Sequence, residues 1–563
     1  MCGIVGIWNQ QDEATVARMA WSIASRGPDG IDWVVRDSNS LGASRLSIVG
    51  DPKASAIYFD PLTGVSVLLN GEIYNVNELR GQLLSRGIVF HSDLESEVVA
   101  KLYQIHGLAF AKLLKGMFAI AIVGRDWLVL SRDKFGIKPM YYVDHGDSVV
   151  FGSEIKALLE HPNSSAQLDI SALQQSIVFG YVYAEDKTLF EGIRQVEPGT
   201  VAEFAINKRH IHRFWQLPQA RYQKESEVLP YHDAVARLRE VIIETMDLLL
   251  HHGNDSKGIY LSGGLDSTIL TLVAQNILDY PVTTFTLADD PENPDFTAAK
   301  EVAGKIGTRH VERIVGLQDY FEILEDFLYH YETLLLGGVF DIRGAPAFHL
   351  LSQTVSEHVR VAFSGEGADE LFGGYYWIYT HPLGFSDRIR NRLESIPAQD
   401  AVCRMVNELF PFPENEKIYQ RNLLDALMKT GLSNCHLQSV DRSSGAFGFE
   451  VRPAYLYDDL AEFALRLPIE YKVPDVHTTK RILRDAFRPE LERLGLDWVL
   501  NRKKQGMPSA LANIAGQIQE KMESVVSDRT FSERPLKEYL HTKTDTYLFD
   551  IFRKNFLSET ANV

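Results

Sequence analysis

Cysteine is scarce in this chain: three among 563 residues, at Cys2, Cys403 and Cys435. Three thiols so far apart cannot staple a small fold, so a disulfide framework is excluded and a reducing compartment is expected. Positive charge is in deficit, with 57 lysines and arginines against 75 aspartates and glutamates and a net charge of −18. A surface of that sign repels phosphate backbones and anionic bilayers, so neither nucleic acid nor a membrane is an expected partner. No apolar run approaches the roughly 20 residues that cross a bilayer. The N-terminus lacks the basic and apolar segments of a secretory leader, which makes a cytoplasmic location the expectation. Internal repeats and low-complexity tracts are missing as well. What is there, 45% apolar and 23% charged residues over a length too great for one core, describes a globular chain of several domains.

The chain divides into unlike parts. Residues 1–205 read as short strands broken by turns. GVSVLLNGEIYN (64–75), GMFAIAIVGRDWLVLSRD (116–133) and DSVVFGSEIKALL (147–159) are β-branched and apolar runs bounded by Gly, Asp and Asn. VNELRGQLLSRG (76–87) and SEVVAKLYQIHG (96–107) read as helices closed by glycine caps. Packed sheets with helices, an α+β domain, are expected there. Residues 206–230 are polar and read as a linker. From 231 to 563 the texture changes. HDAVARLREVIIETMDLLL (232–250) has helical spacing. Strand, glycine loop and helix then follow twice, at KGIYLSGGLDSTILTLVAQNI (257–277) and VRVAFSGEGADELFGG (359–374). VTTFTLA (282–288) and FTAAKEVAGKIG (296–307) supply a strand and a helix between them. This alternation predicts an α/β domain with a parallel, doubly wound sheet. Beyond 385 the pattern is mostly helical.

Chemistry concentrates at three places. Cys2 follows the initiator methionine, which is expected to be removed before so small a side chain. Cys2 then carries a free α-amine beside its thiol, and that amine can act as the base for the nucleophile. By itself the signal is weak, since most lone cysteines are inert. The second place is SGGLDS, Ser262–Ser267. Ser262, Gly263 and Gly264 let backbone N–H groups approach an anion, and a helix N-terminus adds positive potential. Asp266 is wrong for bare phosphate and right for a Mg²⁺ bridging phosphate oxygens. The loop is not the GxxxxGK[ST] of common nucleotide triphosphatases. The third is SGEGADE, Ser364–Glu370, in which Asp369 is a second candidate metal ligand and Glu366 a carboxylate at the strand ends. Either acid alone reads rather as a helix cap or first-turn acid, and it is two acid-bearing glycine loops in one sheet that point to a site. Several other residues take ordinary readings. His251 and His252 are expected to be solvated at a helix end, Cys403 and Cys435 to pack in helices, YYWIY (375–379) to be core, and Lys503 and Lys504 to be solvated or to reach a phosphate at even odds.

Over nearly its whole length the sequence resembles the glutamine-hydrolysing asparagine synthetases. MCGIVGI, SRGPDG (25–30), RLSIVG (45–50), NGEIYN (70–75), GMFA (116–119), RDKFGIKPMYY (132–142) and FGSEIKALL (151–159) resemble the family's glutaminase half. LSGGLDS, SGEGADELFGGY, DRSSGAFGFEVRP (441–453), TKRILR (479–484) and NRKKQGM (501–507) resemble its ATP-pyrophosphatase half. The resemblance implies an N-terminal-nucleophile glutaminase, a layered αββα sandwich, ahead of the α/β synthetase domain. It implies that Cys2 attacks the glutamine amide. Asn70 and the backbone N–H of Gly71 would form the oxyanion hole, worth roughly 3 kcal/mol per donor. Arg45 would bind the glutamine carboxylate, and Glu72 and Glu95 its α-amino end. Leu261, Ser262, Gly263, Gly264, Asp266, Ser267, Ser364 and Gly365 would hold ATP. Asp266 and Asp369 would bind Mg²⁺. Glu366 would accept a proton from the incoming amine, Lys480 would stabilise the adenylate and pyrophosphate, and Arg343 would clamp the acceptor carboxylate. Ammonia would pass inside the protein, and family members are often homodimers.

The sequence also departs from the family pattern. Glu95 of SDLESEVV (92–99) stands where the family has an aspartate, and Asp93 is a possible substitute. Ala43 and Ser25 replace histidines. The acceptor stretch reads ETLLLGGVFDIRGAP (332–346), with an apolar insertion, and Tyr457 of PAYLYDD (453–459) replaces an acid. Amidation of an adenylated carboxylate, with aspartate as the acceptor, is the expected reaction. Amidation of another carboxylic acid or intramolecular amide closure is the alternative, and a binding protein on a dead scaffold is the non-enzymatic one. Cyclising relatives commonly lack the nucleophilic cysteine, whereas Cys2, Arg45 and Asn70–Glu72 are all present here.

Overall fold

The computed structural model describes residues 2–50, 55–217, 229–334, 336, 344–502 and 506–557. The N-terminal half contains strands β1 (Gly3–Trp8), β2 (Gly30–Arg36), β3 (Asn39–Arg45), β4 (Ile57–Asp60), β5 (Val65–Ile73), β6 (Gly116–Val123), β7 (Leu128–Arg132), β8 (Tyr141–Asp144), β9 (Val149–Gly152), β10 (Arg194–Gln195), β11 (Thr200–Ala205) and β12 (Lys208–Arg213). They form two six-stranded sheets, β10-β8-β9-β1-β3-β2 and β12-β11-β7-β6-β5-β4. Neighbouring strands, β1 and β3 or β5 and β6 for example, run antiparallel.

Apolar residues on both faces of the central strands dictate the layering. On β1, Ile4 and Trp8 enter the core between the sheets, while Val5 and Ile7 face helices on the outside. On β6, Ala119 and Ala121 face inward, and Ile120 and Ile122 pack under the helices Val76–Ser85 and Glu95–His106. The result is the expected αββα sandwich. The outer helical layer over β1 is not all local. The helix Lys543–Phe556, near the end of the chain, joins the same core. Its Phe552 and Phe556 rings lie 5.6 and 5.8 Å from that of Phe190. Strand β12 pairs with β11 in a hairpin, so the N-terminal sheet reaches into the segment 206–230 expected to be a linker.

The C-terminal half holds β13 (Lys257–Tyr260), β14 (Thr283–Ala288), β15 (Arg309–Ile314), β16 (Val361–Ser364) and β17 (Glu450–Pro453) in the order β15-β14-β13-β16-β17. All neighbours are parallel. The chain winds outward from β13 to β15, then restarts beside β13 at β16 and winds the other way. This reversal places the loops after β13 and β16 side by side, in the crevice where such sheets bind ligands. Helices cover both faces and dominate beyond Pro382. No helix among the described residues is long and apolar enough to cross a membrane.

Candidate active sites

The first site lies at the end of β1. The pairing of Gly3 with Ser44 brings Cys2 to the level of Arg45 at the end of β3. The Cys2 Sγ is 3.9 Å from the Leu46 carbonyl, and burial pushes its thiol above the ordinary range, with Glu72 and Glu450 adding to the rise. Arg45 is buried. Asn70 on β5 is fully buried, and neither its amide nitrogen nor its amide oxygen has a hydrogen-bond partner among the described residues. Such a side chain is costly unless a ligand completes it. Gly71 has φ 131°, and a Cβ there would sit 1.9 Å from the Met117 carbonyl oxygen, so only glycine fits beside β6.

Glu72, two residues after Asn70, shares its face of β5. Glu95 opens the helix Glu95–His106, and its Oε2 accepts from the Ile73 N–H at 3.1 Å. Burial, and then the Glu72 carboxylate, hold the Glu95 carboxyl well above the usual carboxylate range. Asp93 is exposed, so Glu95 is the acid delivered to this pocket. Glu97 serves the local loop by accepting from the N–H groups of His91 and Ser92.

His252 departs from expectation. The side chain of His251 is 63% exposed, as expected of a solvated helix end, but that of His252 is only 11% exposed. The His252 Nε2 lies 2.7 Å from Glu72 Oε2, and the polar atoms of His252, Glu72 and Glu95 fall within 4.8 Å of one another. The acids it meets, Glu72 and Glu95, precede it by 180 and 157 residues and lie in the other half of the chain. No local spacing could have revealed it.

The second site is the crevice between β13 and β16. Ser262, Gly263 and Gly264 curl over the Ser267 hydroxyl: the Ser262 N–H donates to Ser267 Oγ at 3.2 Å, and the Gly264 N–H to Ser262 Oγ at 3.3 Å. Gly263 has φ 66°, and a Cβ there would meet Ala298 at 2.6 Å. Leu261 and Ser364 are buried at the ends of their strands. A Cβ on Gly365 would sit 3.3 Å from that of Asp266, which shows how closely the two loops approach. Lys480 joins them. Its Nζ is 2.5 Å from Asp266 Oδ2 and 2.6 Å from Asp369 Oδ1. Asp266 Oδ1 is buried without a hydrogen-bond partner. Lys480 holds a left-handed backbone, φ 53°, at the start of the helix Arg481–Arg493, a conformation a non-glycine residue adopts only where its surroundings impose it. Gly374 lies under this pair; a Cβ there would be 1.8 Å from Asp369 Oδ1 and 2.3 Å from Lys480 Cε. Glu366 sits between β16 and the helix Ala368–Phe372, close enough for its charge to raise the buried Tyr260 hydroxyl.

Two residues around this crevice were not singled out from the sequence. Arg502 donates to the Ser262 carbonyl at 3.0 Å and to Asp295 at 2.5 Å, bracing the first loop. The Tyr455 hydroxyl donates to the Asp266 carbonyl at 3.1 Å. Arg343, Lys503 and Lys504 lie outside the described residues. Within 375–379, Ile378 is core as expected, whereas the Tyr375 hydroxyl donates to Glu370 at 2.6 Å. Cys435 is buried and Cys403 half-buried, both in helices. Tyr457 packs against Tyr74, with ring centroids 5.8 Å apart, so it lies at the junction of the two halves.

Between the sites the halves are joined by buried charge. Arg26 is fully buried and donates to Glu154 at 2.8 Å and to both oxygens of Asp441 at 2.9 and 3.1 Å. Arg442 meets Glu154 at 3.1 Å and Glu332 at 2.8 Å. A cavity of about 40 Å³ opens beside Glu332, Asn434, Gln438, Asp441 and Arg442.

Comparison with known proteins agrees with this two-site arrangement. Residues 1–215 match the glutamine amidotransferase domain family, and residues 237–555 match the asparagine synthase family. The chain is 28% identical to glutamine-hydrolysing asparagine synthetase 1 of Bacillus subtilis, across 96% of this chain and 92% of that one. It is 27% identical to asparagine synthetase 3 of the same organism, across 90% and 87%. It is also 28% identical to asparagine synthetase 3 of Arabidopsis thaliana, across 90% and 78%. The chain therefore belongs to the asparagine synthase family, as a ligase whose synthetase domain follows a glutamine amidotransferase domain.

Proposed function

We propose that the chain hydrolyses glutamine at Cys2 and uses the released ammonia to convert aspartate, activated by ATP as an acyl-adenylate, into asparagine. Once Met1 is removed, the Cys2 α-amine takes the thiol proton and the sulfur attacks the glutamine side-chain carbonyl. The Asn70 amide and the Gly71 N–H stabilise the oxyanion, and Arg45, Glu72 and Glu95 grip the two ends of the amino acid. The nitrogen leaves as ammonia, taking its proton from the α-ammonium, and water hydrolyses the thioester. At the second site the acceptor carboxylate attacks the α-phosphorus and pyrophosphate leaves. Ammonia then attacks the acyl carbon, Glu366 accepts a proton, and AMP leaves. The polar cavity at the domain junction exceeds the roughly 10–15 Å³ that one water needs, and it would suit a molecule of ammonia's size in transit.

The observation that carries this reading is Lys480 held between Asp266 and Asp369 at the mouths of two glycine loops. Two carboxylates, one with an orphaned oxygen, form a hard donor set that fits Mg²⁺. Bound there, Mg²⁺ would neutralise phosphate charge. Leu334 and Leu336 of the acceptor stretch are buried in a core shared with Ile378 and Phe410, so these two side chains serve packing and do not wall a pocket for a larger acid.

A panel of carboxylic acids scored by pyrophosphate release tests the proposal. Aspartate is expected to give the highest rate, and another acid that surpassed it would replace it as the acceptor. Cys2→Ala is expected to abolish glutamine-dependent turnover and to keep ammonia-dependent turnover. Formation of ADP in place of AMP would refute the adenylate.

A further inference from the structure

The turn after the helix Tyr231–His251 carries His252 from the synthetase half into the pocket of the glutaminase half. Its Nε2 stands 2.7 Å from Glu72 Oε2 and 3.9 Å from Glu95 Oε1. The ring meets the Tyr74 ring edge-on, with centroids 5.1 Å apart. One oxygen of Glu72 is thus committed to a group from the other half, which fixes the carboxylate and leaves the second oxygen for a ligand. Without the imidazole, the Glu72 oxygen that now meets His252 would lose that partner.

The main chain of the same residue is held from the ATP side. The His252 carbonyl accepts from Arg452 Nη1 at 2.9 Å and from Lys257 Nζ at 3.3 Å. Arg452 lies on β17, ion-paired with Glu450 at 2.9 Å, and Lys257 opens β13. Strand β13 leads into the first glycine loop, and β17 leads to a residue that bonds that loop. Strand β13 has four residues and runs straight into Ser262–Ser267, a span of about 13 Å at ~3.3 Å per residue. Just past β17, Tyr455 bonds the Asp266 carbonyl.

We propose that His252 is a positioning residue for glutamine supplied across the domain boundary, and that through it occupancy of the glutamine pocket is linked to occupancy of the ATP site. The inference rests on Glu72 and Glu95 forming the ammonium end of the glutamine pocket. Linkage of this kind is reciprocal: if ATP and acceptor alter glutamine affinity, glutamine alters theirs by the same factor. A contiguous chain of hydrogen bonds acquires that meaning only through a measured coupling.

The test is glutaminase kinetics of the full chain and of its His252→Leu and His252→Gln variants, with and without saturating ATP and aspartate. Ammonia-dependent pyrophosphate release is followed in parallel. His252→Leu is expected to raise the glutamine KM about tenfold or more, the effect of losing a hydrogen bond to a charged group, with kcat little changed. His252→Gln keeps an N–H donor for Glu72 and is expected to recover most of the KM. ATP with aspartate is expected to shift the parent's glutamine KM by about fivefold or more, and His252→Leu to abolish that shift. An unchanged KM in His252→Leu with ammonia-dependent turnover intact overturns the proposal. So does a parent whose glutamine KM ignores ATP and aspartate. Should His252→Leu lose ammonia-dependent turnover as well, a double-mutant cycle between His252→Ala and Glu72→Gln, read in the glutamine KM, decides: coupling supports the proposal and additivity overturns it. Failure of the broader functional reading is distinct, because pyrophosphate release would then be missing from the parent.

Discussion

At Glu95 burial, reinforced by the neighbouring Glu72 carboxylate, holds a carboxyl group well above its usual range. Its proton is therefore favoured in the empty pocket. If Glu95 grips the α-ammonium of glutamine as proposed, the bound cation favours the ionised form, and glutamine and that proton compete. The glutamine KM is expected to fall as pH rises through the Glu95 titration, and Glu95→Gln to give a higher KM with a flatter profile; an equally steep profile in the variant would refute this role. The sign for stability is opposite. A raised carboxyl contributes stability that is full below its unfolded value of about 4.3 and is lost as pH climbs through the folded one. The empty glutaminase site accordingly loosens on the alkaline side, and glutamine restores it. Glu95 itself was legible in the sequence, since it sits two residues before Glu97 in a run that resembles the family's. His252 was not, because the chain that precedes it reads only as a helix ending in polar residues.

Among elements, the strand–loop–helix units carry the synthetase chemistry, and Gly374 shows how little room they have. Its missing side chain is the space through which Asp369 and Lys480 meet. Gly374→Ala is expected to separate that pair and to lower ammonia-dependent pyrophosphate release at least ~100-fold, while glutaminase activity, checked by glutamate formation, persists. Loss of both activities would mean the damage had spread beyond the crevice. These units were legible because a buried parallel strand is a continuous apolar run and the glycines punctuate it; β14 (Thr283–Ala288) falls within the expected 282–288. Strand β12 was hidden for the converse reason. KRHIHR is exposed along its whole length at a sheet edge, so no alternation betrays it, and its charges are what keep such an edge from pairing with other chains.

For the molecule as a whole, the order of the two domains could be read from the sequence but the joint between them could not. Arg26 belongs to a motif near the N-terminus, and its partners Glu154 and Asp441 lie 128 and 415 residues away. A fork-shaped cation between two buried acids stabilises chiefly by preventing uncompensated charge. Arg26→Met is expected to cost about 3–5 kcal/mol. Calorimetry should then show the halves unmelting their cooperation, with two transitions or one much lowered; a single transition at the parent temperature would refute the joint.

The aromatic contact between Phe190 and the helix Lys543–Phe556 has a consequence for biosynthesis. Domains generally mature as they emerge, first from the N-terminal side. Here the layer beneath β1 is finished by a segment translated after the whole parallel sheet of the C-terminal half. If Cys2 is the nucleophile, as proposed, a nascent polypeptide still tethered to the ribosome is expected to hold it on an unfinished scaffold and to spare glutamine until a synthetase is there to receive the nitrogen.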